Sequence, residues 1–582
     1  MLSPRVLRLA SSLHPATYSR PYLQRAAFSI TAQIMAQEFK LKGVISLNLK
    51  NGEKQEVEIE GIEGGKALLL RVQDKYYATS ANCTHYGAPL KLGVLTGEGR
   101  LTCPWHGACF NVSTGDVEDA PALDALATYE LVEKDGAVYI KADEDTIKTN
   151  RRPLDLKCSA VSDEKVLVIG GGSGTLGAIE GLRGGGYKGS ITVLSKEGYQ
   201  PIDRTKLSKA LLADLSKAAW RSKDFYKDAS IDIIQDEVSS VDFSSMKVST
   251  KSGKTFDYTK LVLATGGTPR WLPLPGLKQG ELGNVFVLRA LPDAQNILKA
   301  VGDSGKKIVV IGSSFIGMEV GNCLASMKNE VSIIGMESEP MERVMGTQVG
   351  KIFRGLLERN GVKFYMGASV DKAAPSQSDS SKVGAVHLKD GTVLEADLVI
   401  EGVGVAPATE YLKETGIKLE KDGSIKTNES FEVEGLKDVY AIGDIATYPY
   451  HGPGGNGSLI RIEHWNVAQN AGRSVANSIA HPGAKPKPFI PVFWSALGAQ
   501  LRYCGNTVGG YDDVVITGDT EKPSFVAYYT RGETVVAVAS MMKDPYMTQS
   551  AELMRRAKMP TKGELKKGVD ILEINVPSEI KI

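Results

Sequence analysis

The 582-residue sequence predicts a multidomain chain of mixed α/β and β class, and three observations predict it. The length exceeds the roughly 250–300 residues that one core organises, so several cores are required. Two β-branched apolar runs pass directly into glycine turns and helical patterns, KVLVIGGGSGTLGAIEGL from Lys165 and KIVVIGSSFIGMEVGNCL from Lys307. Ahead of them, short alternating stretches such as KALLLRV and DKYYATS read as antiparallel strands beside two loops rich in Cys, His, Gly and Pro.

Composition narrows the functional classes. A formal net charge of +1 removes any simple electrostatic case for nucleic acid. The longest nearly apolar stretch, from Ile308, carries Glu319 among several Gly and Ser residues, so no transmembrane segment is expected. At the N-terminus Arg5, Arg8, Arg20 and Arg25 occur with no acidic residue before Glu38, while Leu2, Val6, Leu9 and Leu13 recur at helical spacing. This is the composition of a mitochondrial transit segment, read as residues 1–34, with the matrix as its address. Translation from Met35 would leave a cytosolic form.

The first domain, read as 37–145, holds CTHYGAPL (83–90) and CPWHGACF (103–110) in a chain with only 6 Cys and 7 His. Together they supply Cys83, His85, Cys103 and His106. Four N/S ligands on paired loops could hold zinc. Their order and spacing instead resemble a Rieske [2Fe–2S] site, in which two histidines replace two cysteines on one iron. Gly87 and Gly107 let the backbone turn closely around the sulfurs, and Pro89 and Pro104 stiffen the loops. High-potential Rieske proteins add a disulfide between the loops, but the matching positions here are Ala88 and Trp105, so the resemblance implies the low-potential, ferredoxin-like class. On this reading the cluster histidines occupy an exposed tip that faces either a flavin or an external acceptor. Cys109, Cys158, Cys323 and Cys504 read as small buried thiols.

A charged linker, 146–162, leads to the first nucleotide unit. Its glycine register is ambiguous: Gly170 and Gly172 fit with Thr175 in the third place, or Gly172, Gly174 and Gly177 fit two residues later. Either lets the backbone approach a pyrophosphate at a helix N-terminus. Glu197 closes the next strand at the distance expected for a ribose hydroxyl. In the second unit Gly312, Ser314 and Gly317 hold the loop positions. Between the two units KLVLATGGTPRWLPLPG contributes Thr265 and Gly266, and after them VYAIGDIATYP contributes Asp444.

This four-part arrangement resembles the FAD- and NAD(P)-binding pyridine nucleotide-disulfide reductase superfamily. The stretches PIDRTKLSK, RIEHW and FWSALGAQLRYCG narrow the resemblance to the ferredoxin- and rubredoxin-reductase branch, and with the N-terminal domain to Rieske-containing apoptosis-inducing-factor-like flavoproteins. The resemblance implies an FAD domain in two parts (163–300 and 426–485), an NAD(P) domain (301–425) and a C-terminal α+β reductase domain (486–582). It implies that Lys209 beside the flavin pairs with Glu319, that Arg204 and Trp465 and Trp494 lie against FAD, and that Asp444 bonds the flavin ribitol. No cysteine occurs between Cys158 and Cys323, so the redox cysteine pair of disulfide reductases is missing.

The implied activity is NAD(P)H oxidation through FAD to the fused cluster and on to an unknown acceptor, protein or small molecule, with the oligomeric state unspecified. Two rivals share parts of the pattern. Nitrite reductases combine these modules but need two further cysteine pairs for sirohaem; a redox-sensing or cell-death effector would turn over slowly. NADH is expected over NADPH. The acidic residue usual in NAD-selective relatives is replaced by Gly335, but Glu337 and Glu339 follow, and no cation occurs before Arg343.

Overall fold

KALLLRV forms the strand Lys66–Val72, and its period-two alternation sends Ala67 and Leu69 into one core and Leu68 and Leu70 into another. The second of these cores packs directly behind Cys83 and Cys103. The computed structural model describes residues 37–576, 578, 580 and 581; the transit segment and Met35 lie outside the described residues. The first domain is an antiparallel sheet in the order Gln37–Lys40, Ala137–Ala142, Thr128–Lys134, Lys75–Ser80, Lys66–Val72 and Lys54–Glu58. A smaller sheet, Val94–Leu95, Arg100–Thr102, Cys109–Asn111 and Val117–Asp119, stands beside it. One cysteine loop follows Lys75–Ser80, and the other joins Arg100–Thr102 to Cys109–Asn111.

Helix Glu144–Thr149 crosses the expected 145/146 boundary, because Ile147 packs into the first domain's core. The rest of the linker is tied down at intervals: Arg152 N–H bonds to Ala125 O at 2.9 Å, and Cys158 N–H to Asp228 O at 3.1 Å.

The first nucleotide unit is a parallel sheet in the order Ile231–Gln235, Ser190–Ser195, Lys165–Ile169, Lys260–Leu263 and Val439–Ala441. Its crossover helix Ser173–Gly184 lies against helix Trp465–Ala480. The contact is close enough that a Cβ on Gly177 would stand 2.2 Å from Gln469 O. Gly177 is therefore a helix-packing residue. The register is settled by Gly170, whose φ of +112° matches the +109° of Gly312, and by Gly172 and Ser314, each the residue before its helix. The loop triplets are Gly170, Gly172, Thr175 and Gly312, Ser314, Gly317.

The second unit is a parallel sheet in the order Val285–Phe286, Leu398–Glu401, Lys307–Ile311, Glu330–Ile334 and Lys363–Tyr365. Helix Leu291–Val301 packs Leu291, Ala294 and Ile297 into the same core as Ile308 and Val310. The expected boundary at 300/301 thus comes too late. The chain also returns early: Val405–Pro407 pairs with Gly267–Pro269, and Ile425–Lys426 with Ala446–Tyr450. Both misplacements have one cause, that glycine loops mark strand ends and not the segments packed around them. The C-terminal domain is α+β, with helix Tyr546–Arg555 on an antiparallel sheet ordered Val492–Ala496, Gln500–Gly505, Thr534–Met541, Ser524–Arg531 and Asp513–Asp519. No helix among the described residues is long and apolar enough to cross a membrane.

Candidate electron-transfer site

The two cysteine loops are built alike. Cys83 N–H bonds to Ala88 O and Cys103 N–H to Ala108 O, each at 2.8 Å, while Gly87 and Gly107 close the turns with φ of +78° and +73°. Burial raises both thiols: it wins at Cys83, which is pushed well up although backbone N–H groups of His85 and Tyr86 reach its Sγ, whereas at Cys103 the Cys83 thiol and the backbone N–H groups of Trp105 and His106 outweigh it and bring the thiol down. The imidazoles of His85 and His106 bring their Nδ1 atoms to 3.0 Å. Burial, with Lys206 nearby, pushes His85 down to about 3, and burial holds His106 well below the usual imidazole range, so both rings are neutral donors at pH 7. Among the described residues no three His, Cys, Asp or Glu side chains are grouped to hold a single metal ion. The four divide into a sulfur pair and an imidazole pair, so that each pair could hold one of two irons.

The loops are covered, contrary to the exposed tip expected from sequence. His85 is 8% and His106 5% exposed. The His106 ring centroid lies 4.5 Å from that of Trp494, and the His85 centroid 5.6 Å from that of Trp220. Thr548 Oγ1 donates to Cys103 O at 3.1 Å, and Asn466 Nδ2 to Ala120 O at 2.8 Å. Arg221 joins Asp124 of the first domain to Glu180 of the nucleotide unit, at 2.8 and 3.0 Å. A buried ionic group completes the interface. Arg100 Nε lies 3.1 Å from Glu552 Oε1, and Asp119 meets Arg555 at 3.0 Å and Lys487 at 2.9 Å. Burial raises the Glu552 carboxyl, but Arg100, Arg555 and Arg556 outweigh it and hold it at about 2.

On the other side of Trp494 lies a cavity of about 910 Å³, lined by Gly170, Gly172, Gly174, Glu197, Arg204, Lys209, Thr265, Gly266, Glu319, Asp444 and Trp465. Space is open where a Cβ on Gly172 would stand, and the N-terminus of helix Ser173–Gly184 has no side-chain cap, so its amides are free for a pyrophosphate. Arg204 pairs with Glu197 and donates to Arg289 O at 2.9 Å. Lys209 Nζ stands 3.0 Å from Glu319 Oε1, and Glu319 also accepts from Ser208 and Ser495. Asp444 pairs with Arg289 at 2.7 Å. Arg289 escaped the sequence reading; its one signal is its place just before the capped helix Leu291–Val301.

Gly312, Ser314 and Gly317 do not line this cavity; they form the loop of the second unit, where Ser314 Oγ donates to Gly402 O at 3.3 Å. Gly335 has a steric reason, because a Cβ there would meet Ser313 Oγ at 2.5 Å and Met366 Cε at 2.6 Å. Glu337 is not a bare carboxylate: Arg343 Nε lies 2.7 Å from its Oε1. Tyr86 and Trp220 stack on His85, at 3.9 and 5.6 Å between ring centroids, and nothing in their sequence spacing marks them.

Comparison with known proteins agrees with this construction. Residues 164–472 match the pyridine nucleotide-disulphide oxidoreductase family, residues 44–130 the Rieske [2Fe-2S] domain and residues 492–571 the reductase C-terminal domain. The chain is 36% identical to apoptosis-inducing factor 3 of Homo sapiens over 89% of this chain and 84% of that protein. It is 30% identical to putidaredoxin reductase of Pseudomonas putida over 68% of this chain and 92% of that one. A solved covalent putidaredoxin reductase–putidaredoxin complex superposes with a TM-score of 0.66 at 28% identity, covering 71% of this chain and 98% of that chain.

Proposed function

The chain belongs to the pyridine nucleotide-disulphide oxidoreductase family, as an NAD(P)H-dependent flavoprotein oxidoreductase fused to a Rieske domain, and from that premise we propose that it carries electrons from NADH through FAD to its own cluster and then to an acceptor. The observation that carries the reading is the contact of His106 with Trp494, the residue that also walls the cavity holding Lys209 and Glu319. Flavin, when bound, supplies the conversion of a two-electron donation into single-electron release.

The residues divide the work. Gly170, Gly172 and Gly174 open the backbone to the dinucleotide; Arg204, paired with Glu197, and Asp444, paired with Arg289, fix its sugar-phosphate portion. Lys209 places a positive charge where negative charge grows during reduction, and Glu319 fixes that lysine from the other nucleotide half. Gly312, Ser314 and Gly317 seat the nicotinamide dinucleotide, with Glu337 towards its adenine ribose. Cys83, Cys103, His85 and His106 hold the cluster. The putidaredoxin reductase relative was solved with putidaredoxin as its partner; here the Rieske domain is supplied on the same polypeptide. The arginine-rich N-terminus supports a mitochondrial address.

Anaerobic titration of the full-length holoprotein with NADH tests the reading, following flavin absorbance and cluster EPR together. Bleaching of flavin with growth of a Rieske-type signal is expected, and His106→Ala should lose the signal while keeping the flavin. Zinc in place of iron, or a cluster that stays oxidised under excess NADH, would refute it.

A further inference from the structure

The strand Gln500–Gly505 runs antiparallel to Val492–Ala496 with Arg502 directly opposite Trp494. Residues directly opposite each other in an antiparallel pair project to the same face of the sheet. Trp494 on that face touches His106, so Arg502 faces the cluster loops as well, and its charge is felt at both Cys103 and His106. Arg502 is 3% exposed. Its Nη1 donates to Gln500 Oε1 at 2.9 Å and to Leu501 O at 3.4 Å, but Nε makes no hydrogen bond, and the carboxylate paired with it, Asp544, stands 3.7 Å away. Its other cross-strand neighbour, Ser540, likewise has a buried hydroxyl without a partner. A buried guanidinium so incompletely matched is costly unless a further negative charge lies within reach.

We propose that Arg502 is an electrostatic tuning residue for the cluster held by Cys83, His85, Cys103 and His106, a fixed buried cation that raises its potential so that it accepts electrons from the flavin. This rests on the function proposed above. Two ferric ions, two sulfides, two thiolates and two neutral imidazoles sum to zero charge; one electron, with no bond made or broken, leaves the site at minus one. Arg502 gains attraction only in the reduced state, and low surrounding dielectric enlarges that gain. Asp544 offsets part of it.

The test is an EPR-monitored redox titration of full-length holoprotein with dithionite and mediators, which needs no electron transfer from flavin. Arg502→Gln should lower the ratio of reduced to oxidised cluster at a given poise about tenfold, a shift of about 59 mV for a one-electron couple. Arg502→Lys should restore most of it, and Asp544→Asn should shift the midpoint the opposite way. An unmoved midpoint in Arg502→Gln, with the cluster retained, would overturn the proposal. If that variant loses its cluster, an unmoved midpoint in Asp544→Asn overturns it instead. A wild-type protein without any Rieske-type signal would refute the underlying function, whereas a wild-type signal with unmoved variants refutes only the role of Arg502.

Discussion

Lys209 Nζ lies 3.0 Å from Glu319 Oε1, so a short helix of the first nucleotide unit is ion-paired to the loop helix of the second at the wall of the cavity of about 910 Å³. Glu319 is 2% exposed and is held further by Ser208 and Ser495, which leaves it few alternative positions. Lys209→Ala should slow flavin reduction by NADH about 10- to 100-fold, or about 1.4–2.7 kcal/mol of barrier, with a smaller loss of bound FAD. Stopped-flow bleaching of the flavin measures this; unchanged rates would leave the pair a structural bridge only.

Trp494 separates the same cavity from His106. Trp494→Ala should slow the appearance of the reduced cluster more than it slows flavin bleaching, and Trp494→Phe should fall between, since a ring preserves the packing. Freeze-quench EPR beside stopped-flow absorbance separates the two steps. Equal slowing of both would remove Trp494 from the path.

Arg343 is 74% exposed on its side chain and lies against Glu337 beside the expected adenine ribose. The repulsion of a 2′-phosphate by Glu337 is therefore partly cancelled, by an exposed pair worth about 0–1 kcal/mol. NADH should be preferred, and Arg343→Ala should widen the preference up to about fivefold further. The ratio of kcat/KM for the two cofactors at one ionic strength is the measurement. A ratio that moves towards NADPH in the variant would show that Arg343 does not serve the phosphate.

Arg100 serves carboxylates on two domains, Glu118 at 2.7 Å and Glu552 at 3.1 Å, besides Asp119. Arg100→Ala leaves buried charges unmatched and should destabilise the docked arrangement by about 3–5 kcal/mol. The Glu552 carboxyl, held at about 2 against an ordinary 4.5, contributes stability that is complete above about pH 4.5 and fades as pH falls towards 2. Amide protection factors across residues 98–119, exchange rates corrected for their intrinsic pH dependence, should fall in the variant at neutral pH and in the native chain only on acidification. A truncation at Asp163 would strip Glu552 and Arg555 of Arg100 and Asp119, so the intact chain is the better reporter of electron flow.

Glu401 ends a central strand with Oε2 accepting Leu272 N–H at 2.7 Å and Oε1 buried without a partner. Burial pushes it up to about 7. The folded state therefore holds a proton that the unfolded state releases near 4.5, and stability falls as pH rises from there through 7. Glu401→Gln should gain about 2–3 kcal/mol over the native chain at pH 8 and little at pH 5. Thermal midpoints of both proteins at the two pH values test it; a gain that does not grow with pH would refute the assignment.

The sequence alone determined what depends on short-range spacing. Cys83 with His85 and Cys103 with His106, the glycine turns at Gly170 and Gly312, and the strands that feed them were all legible, because each is a local backbone requirement stated within about ten residues. The meeting of Lys209 with Glu319 was legible only through family resemblance. Tertiary structure alone decided that Gly177 packs a helix, that helix Leu291–Val301 belongs to the second core, and that the histidines are covered by Trp494 and Trp220. Arg100 and Glu552 are 452 positions apart, and no periodicity links them. Their contact exists because two folded surfaces bury complementary charges together, and that complementarity arises only once each domain has closed around its own core.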